Sequence, residues 1–366
     1  MARYDTVIAG GSFAGLVLGT SLTGRVALVE KGEVGEGQTS ACGTTLDVVR
    51  KLGLEASIEE VHDQAVFHTS RGVVRFPLPY RFCTFDYRTF CRLLLERFDG
   101  EMIRAAATGV AADGRGGQAL TTDGGTIEAA ALVDATGWRA TLATSLDAAF
   151  PARTRVTYGL ELPCLGFEDD GLHFWFDPAV RGDGYAWAFP AGDRTRSGVL
   201  SYVAPDGVRA STADFLAREG LDGDRWHGGF LTAGLRPATV EGVFLVGDSA
   251  GHCLPFSGEG IRPAVFFAQR LADLLNRERE PGAARAATLA AYAALQDEYA
   301  RRYRWLRWAQ RVLRGWPDPP VGLMARVVTR GALYRVATRM YWEVAAPILP
   351  AAAGVPARPR PVAVPA

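Results

Sequence analysis

Two short apolar runs flank a glycine loop near the start of the chain. DTVIA (5–9) is a buried-strand pattern, LVLGTSL (16–22) follows at helical spacing, and RVALVE (25–30) is a second buried strand. That succession predicts a βαβ unit. Between 101 and 137, MIRAAATGV, GQALTTDGGTIEA and ALVDATG read as short strands separated by glycine-rich turns. From 154 to 203, strand-like alternation with aromatics in RVTYGLEL, LHFWF, GYAWAF and SGVLSYV predicts a separate antiparallel sheet. GVFLVGD (242–248) returns to the first pattern and precedes a predicted helix over about 260–276. Beyond 284 the periodicity is helical, and the Pro/Ala-rich 350–366 is expected to be disordered.

These elements predict an α/β protein: a Rossmann-like domain with an inserted antiparallel β-sheet substrate domain and C-terminal helices. The nucleotide-binding domain is expected in pieces, 1–60, 101–150 and 233–280. Residues 61–100 supply a substrate-domain segment and a cofactor-side helix, 151–232 the antiparallel sheet, and 281–349 the helical region. There is no internal repeat and no uninterrupted apolar run of about 20 residues, so no spanning helix is expected.

Composition narrows the function classes. The 40 basic and 40 acidic residues cancel, so no overall field recruits nucleic acid. Five cysteines without a CxxC pair suggest neither a disulfide framework nor a metal site. A cytoplasmic setting is expected from this and from MARYDTVIAGG, which lacks an apolar signal region.

The candidate chemistry begins at GGSFAG, Gly10 to Gly15, between the first strand and helix. Exposed amides and the helix dipole can hold a pyrophosphate there, with Gly10 making the turn and Gly15 letting helix and strand approach. Ser12 replaces the middle glycine of GxGxxG. Glu30 ends the second strand, where a carboxylate can accept the hydroxyls of an adenosine ribose. VDATG, ending at Gly137, closes another strand with small residues that permit a close backbone approach. FLVGDSAG places Asp248 at a further strand end, suited to a ribityl hydroxyl, while the amides of GEGI open a helix toward a flavin ring. Together these features predict bound FAD, with Phe13, Ala14, Lys31 and Val110 counted among its contacts beside Gly10, Ser12, Gly15, Glu30, Gly137, Asp248, Pro255, Gly258, Gly260 and Ile261.

With these pieces in order, the chain resembles FAD-dependent oxidoreductases of the p-hydroxybenzoate hydroxylase fold, and within them the geranylgeranyl reductase family. YAWAFP, Tyr185 to Pro190, is similar to that family's YxWxFP motif, although Leu200 stands where the second glycine of the trailing GxG is expected. PFSGEGI, Pro255 to Ile261, resembles its proline-led GEG segment. ACG, Ala41 to Gly43, resembles its Cys-Gly pair, with Thr44 in place of the usual acid. DYRTFCRLLLE (86–96) resembles its DRxxFDxxL helix, with Tyr87 and Cys91 replacing arginine and aspartate.

The resemblance implies reduction of a carbon–carbon double bond in an apolar, isoprenoid or polyene-type molecule. Tyr185, Trp187 and Phe189 share one strand face and would line that substrate, or else form the core of the sheet. Cys42 and His252 are the candidate catalytic residues, each with a structural alternative: a small buried thiol and a loop-satisfying imidazole. Only one dinucleotide fingerprint is visible, so electrons are expected from a transient NAD(P)H or from reduced ferredoxin as a donor protein. A monooxygenase of the same fold is the main rival, though aromatic hydroxylases usually read DG where this chain reads ATG. A flavin halogenase needs an active-site lysine, whereas Lys31 and Lys51 both lie early in the chain. A redox-neutral cyclase and a non-catalytic flavoprotein complete the alternatives. Arg301, Arg304, Arg307, Arg311 and Arg314 interleave with Trp305 and Trp308, a pattern of either a solvated capping helix or a peripheral membrane contact.

Overall fold

The computed structural model describes residues 3–113, 117–150, 156–223, 225–279, 284–315 and 341–344. The predicted disordered tail, 350–366, lies outside them. The chain divides into two units, residues 1–36, 87–155 and 231–304 in the first and 37–86, 156–230 and 305–366 in the second.

The first unit opens with β1 (Tyr4–Ala9), α1 (Phe13–Ser21) and β2 (Val26–Glu30). Val7, Ile8, Val26 and Leu28 are buried, so these strands read as continuous apolar runs because a parallel sheet is covered on both faces. β2 pairs in parallel with β6 (Glu101–Arg104), and β1 pairs in parallel with β9 (Gly125–Asp134). β9 in turn accepts β16 (Val243–Leu245) in parallel. The sheet runs β15 (Thr239–Val240), β16, β9, β1, β2, β6, and the antiparallel pair β7 (Ala107–Ala112) and β8 (Gln118–Thr122) branches from β9. Helix α3 (Tyr87–Leu95), α4 (Thr141–Leu146) and α7 (Ile261–Glu278) also belong here. From α8 (Arg285–Gly315), Tyr292 and Tyr303 are buried, as its apolar stripe at spacings of three and four requires.

The second unit is built on one sheet. Its strands are β3 (Gly43–Thr45), the hairpin β4 (Ile58–Thr69) and β5 (Gly72–Phe85), β10 (Val156–Cys164), β11 (Leu172–Trp175), β12 (Gly184–Ala191), β13 (Arg194–Ser201) and β14 (His227–Thr232). Their order is β14-β10-β13-β12-β11-β4-β5-β3. Unlike the antiparallel sheet expected, this one contains a parallel pairing, β11 with β4, which recruits the 58–85 hairpin. Residues 37–60 lie in the second unit, where β3 pairs with β5. Helices α2 (Leu46–Lys51), α5 (Pro178–Arg181) and α6 (Val208–Arg218) complete the unit.

One face of this sheet carries Leu160, Leu162, Trp175, Ala186, Ala188 and Val199 against Phe215 and Leu216 of α6. The period of two therefore places Tyr185, Trp187 and Phe189 on the opposite face. That face is the one the expected substrate residues occupy.

Candidate functional site

The glycine loop of the first unit is shaped by close backbone approaches. Gly10 has φ +110°, and a Cβ there would stand 2.2 Å from the Ala135 carbonyl oxygen. A Cβ on Gly15 would stand 1.9 Å from the Gly10 carbonyl oxygen. Neither position can hold a side chain without moving backbone, which brings the ATG segment directly over the loop. Ser12 is the N-cap of α1, yet no side chain caps that helix, and its hydroxyl instead lies 3.2 Å from the Tyr87 hydroxyl. Phe13 packs edge-on against Tyr87 and Phe90 of α3. An α1 N-terminus without a side-chain cap is suited to an anionic ligand.

Glu30 accepts the Gly11 amide at 2.7 Å and the Gly32 amide at 3.1 Å, which fixes its carboxylate beside the loop. Lys31 is exposed. The Val110 amide donates to Ser145 Oγ at 3.1 Å, so its backbone is tied to α4. Gly137, with φ +79°, faces open space, and its carbonyl accepts from Ser249.

Asp134 was not singled out as an anchor from the sequence, yet it organises this end of the sheet. Fully buried, it accepts from the Thr136 amide and hydroxyl, from Ser249 Oγ, and from the Leu142 and Ala143 amides. It thereby links the end of β9 to the first turn of α4 and to the segment holding Asp248. Arg236 was also missed; its guanidinium donates to the Trp138 carbonyl at 2.7 Å.

Asp248 follows β16 on a short 3-10 turn beginning at Gly247. A Cβ on Gly247 would stand 2.9 Å from Ala14 Cβ, so this turn lies against the start of α1. A Cβ on Gly260, the N-cap of α7, would stand 3.9 Å from Asp248 Oδ1. Gly10, Ala14, Gly15, Asp248 and Gly260 are thus contiguous. Burial pushes the Asp248 carboxyl up to about 6, offset by an amide from Thr232 and the Arg236 charge. This is a carboxylate at a strand end that a hydroxyl donor would stabilise.

Residues 254–260 form a tight loop. The Leu254 amide donates to the Glu259 carbonyl and the Gly258 amide to the Leu254 carbonyl, with Gly258 at φ +70°. Pro255 and Ile261 are buried, and no side chain caps α7. Glu259 is engaged bidentately by buried Arg262 at 2.7 and 2.8 Å, a structural ion pair.

The structure corrects the expectation for His252. Its ring is fully buried and stacks on Phe267; Nδ1 accepts the Gly247 amide at 3.1 Å and Nε2 meets Gln296 Oε1 at 3.2 Å. Burial pushes its pKa down to about 3. A neutral imidazole with both nitrogens engaged supports the loop, its one N–H committed to Gln296.

In the second unit, Cys42 is buried with φ +51°, in the left-handed region that non-glycine residues rarely occupy. Its amide donates to Ser40 Oγ and its thiol to the Ser40 carbonyl. Arg196 is fixed by Glu59 and the Phe85 carbonyl. Tyr185, Trp187 and Phe189 belong to a continuous aromatic surface with Phe174 and Phe176. The Pro190 carbonyl at the end of the motif accepts from Thr84 at 2.7 Å and pairs with His62 at 3.0 Å, fixing β12 to the 58–85 hairpin. Glu161 and His227 join this face through Trp187 and were not anticipated; the only signal was a lone acid in the buried pattern RVTYGLEL. Among the described residues no cluster could hold a metal ion, and no helix is long and apolar enough to cross a membrane.

No protein-family model and no curated protein matches the chain. Solved structures do. A geranylgeranyl bacteriochlorophyll reductase-like protein from Thermoplasma acidophilum matches with TM-score 0.81 at 17% identity, over 96% of this chain and 97% of that one. PqsL from Pseudomonas aeruginosa, solved with 2-aminobenzoylacetate, gives 0.63 at 19% identity over 86% and 99%. The OxyS anhydrotetracycline hydroxylase of Streptomyces rimosus gives 0.67 at 22% identity over 94% and 76%. At these identities the likeness establishes the architecture: the chain has the fold of the geranylgeranyl reductase-like protein, shared with FAD-dependent monooxygenases.

Proposed function

We propose that the chain is an FAD-dependent oxidoreductase acting on an apolar, isoprenoid or polyene-type substrate. The observation that carries the cofactor assignment is Asp248, a carboxylate raised to about 6 beside Gly260 at the uncapped start of α7. Gly10 to Gly15 and Glu30 would hold the pyrophosphate and adenosine ribose, and Asp248 the ribityl chain. When bound, FAD supplies hydride transfer between its N5 and a carbon–carbon double bond. The residues of the second unit do the remaining work: Tyr185, Trp187 and Phe189 bind and orient the alkene on an apolar surface and exclude water. Cys42 would be a substrate-side residue or proton donor, in a buried, left-handed position. NAD(P)H or reduced ferredoxin delivers the electrons. The exposed Trp308, Arg311 and Arg314 of α8 are suited to a peripheral membrane contact from which such a substrate is reached.

A monooxygenase reading is supported by the likeness to the OxyS hydroxylase. The two separate cleanly. Chemically reduced protein is mixed anaerobically with a polyprenyl alkene and the flavin spectrum is followed. Reoxidation with saturation of the alkene supports the reductase; no reaction until oxygen is admitted, with labelled oxygen entering the product, supports the monooxygenase.

A further inference from the structure

The aromatic face of the second unit contains one charged cluster for which the proposed alkene chemistry has no use. Glu161 is 2% exposed, and both its oxygens are engaged: Oε2 accepts the Trp187 indole N–H at 3.0 Å and Oε1 lies 2.6 Å from His227 Nε2. A buried carboxylate needs hydrogen bonds or a neutralising charge, and Glu161 has the Trp187 indole and His227. Burial alone would lower the His227 pKa, but the hydrogen bond and charge of Glu161 and a weaker bond from the Arg225 carbonyl raise it, against an opposing contribution from Arg196.

The pair is lopsided. The His227 side chain keeps 18% exposure while Glu161 keeps 2%, so the imidazole is the outward end. Its second nitrogen, Nδ1, makes only a long hydrogen bond, 3.4 Å, to the Arg225 carbonyl. Gln38 Nε2 contacts His227 Nε2 at 3.2 Å and donates to the Ser40 carbonyl at 2.8 Å, so the cluster is continuous with the segment that carries Cys42. Glycine makes room for it: a Cβ on Gly198 would stand 2.7 Å from Trp187 Cζ2 and 2.7 Å from Glu161 Cβ.

We infer that His227, held by Glu161, is a polar recognition point on this aromatic face, and that the ligand is a conjugated or fused-ring molecule presenting a carbonyl or enolate oxygen to Nδ1. A pure hydrocarbon chain would leave that N–H with only its long contact to the Arg225 carbonyl, whereas a ligand oxygen at normal hydrogen-bond distance would form a stronger, charge-assisted bond. The inference rests on the reading that this face meets substrate, and it narrows the substrate class within it. The groups facing the imidazole are Glu161 from β10, Arg196 from β13, the Arg225 carbonyl and neutral Gln38.

The test is calorimetric binding of 2-acetylnaphthalene and 2-ethylnaphthalene, which differ only in the carbonyl, to the flavin-loaded protein between about pH 6 and pH 9. A hydrogen bond from a charged donor predicts about tenfold tighter binding of the ketone at the acid end, fading as His227 deprotonates. His227→Gln should bring the two affinities together. Glu161→Gln retains an acceptor for Trp187 but removes the charge that raises His227, so the fading should move to lower pH, a shift that a merely structural pair would not produce. Equal affinities in the wild type, no binding of either compound, or a preference that survives His227→Gln overturns the inference. Flavin content, read on the same samples, reports separately on the proposed function: full FAD with no ketone preference defeats only this inference, and absent flavin defeats the reading beneath it.

Discussion

Asp134→Asn should be nearly as damaging as Asp134→Ala, and the reason lies in the donors around it. Oδ1 accepts three hydrogen bonds, from the Thr136 amide, the Thr136 hydroxyl and Ser249, and Oδ2 accepts two, from the Leu142 and Ala143 amides. An asparagine must place its NH2 on one side or the other. Turned either way, it sets a donor against at least two donors in a fully buried site. Each hydrogen bond to a charged acceptor contributes about 1.5–3 kcal/mol, so losing two costs about 3–6 kcal/mol, a large fraction of a typical domain's stability of about 5–15 kcal/mol. Urea unfolding followed by circular dichroism, with flavin released into the supernatant measured in parallel, reads both consequences. A midpoint for Asp134→Asn within about 1 kcal/mol of the wild type would refute the reasoning, because the carboxylate would then be dispensable to the segment that carries Asp248.

Other perturbations act on separate parts of the molecule. FAD affinity should strengthen as pH rises through about 6, since a ribityl hydroxyl favours the ionised Asp248 over its protonated form, and an affinity flat across that range by flavin fluorescence would remove Asp248 from the site. His252, lowered by burial to about 3, and His68, lowered to about 4 by burial and the charge of His173, both have folded values below the unfolded one near 6.5. Their stability contribution is therefore complete above about pH 6.5 and is lost as pH falls toward 3–4; a urea midpoint unchanged from about pH 7 to pH 4.5 would contradict this. Gly198→Ala drives a Cβ to 2.3 Å from the Leu160 carbonyl oxygen and should destabilise the second unit by about 2–4 kcal/mol while leaving flavin content intact, as limited proteolysis and absorbance would show. Trp187→Ala should depress turnover more than flavin content, and equal loss of both would make Trp187 simply a core residue.

The first unit was legible because its signals are local. DTVIA, the glycine loop and RVALVE lie within thirty residues, and Gly10 and Gly15 stand where backbone contacts of 2.2 and 1.9 Å exclude any side chain. The second unit was legible only in part. Alternation in GYAWAF marked a strand face, but nothing local signals that β11 pairs in parallel with β4, more than a hundred residues earlier, or that 58–85 is a hairpin of the same sheet. Site chemistry is non-local for the same reason. The sequence leaves His252 between a proton donor and a loop-supporting imidazole, and only Gln296 from α8 and the ring of Phe267 show it enclosed. The Trp187–Glu161–His227 contacts join residues 26 and 66 positions apart, a relation that hydrophobic periodicity does not encode.

The most direct test of the central claim is to denature the purified protein and measure the released flavin, for the wild type and for Asp248→Ala. The account predicts FAD, close to one per wild-type chain, and at least tenfold weaker retention in the variant. Absence of flavin, release of FMN alone, or equal FAD retention by Asp248→Ala would contradict it.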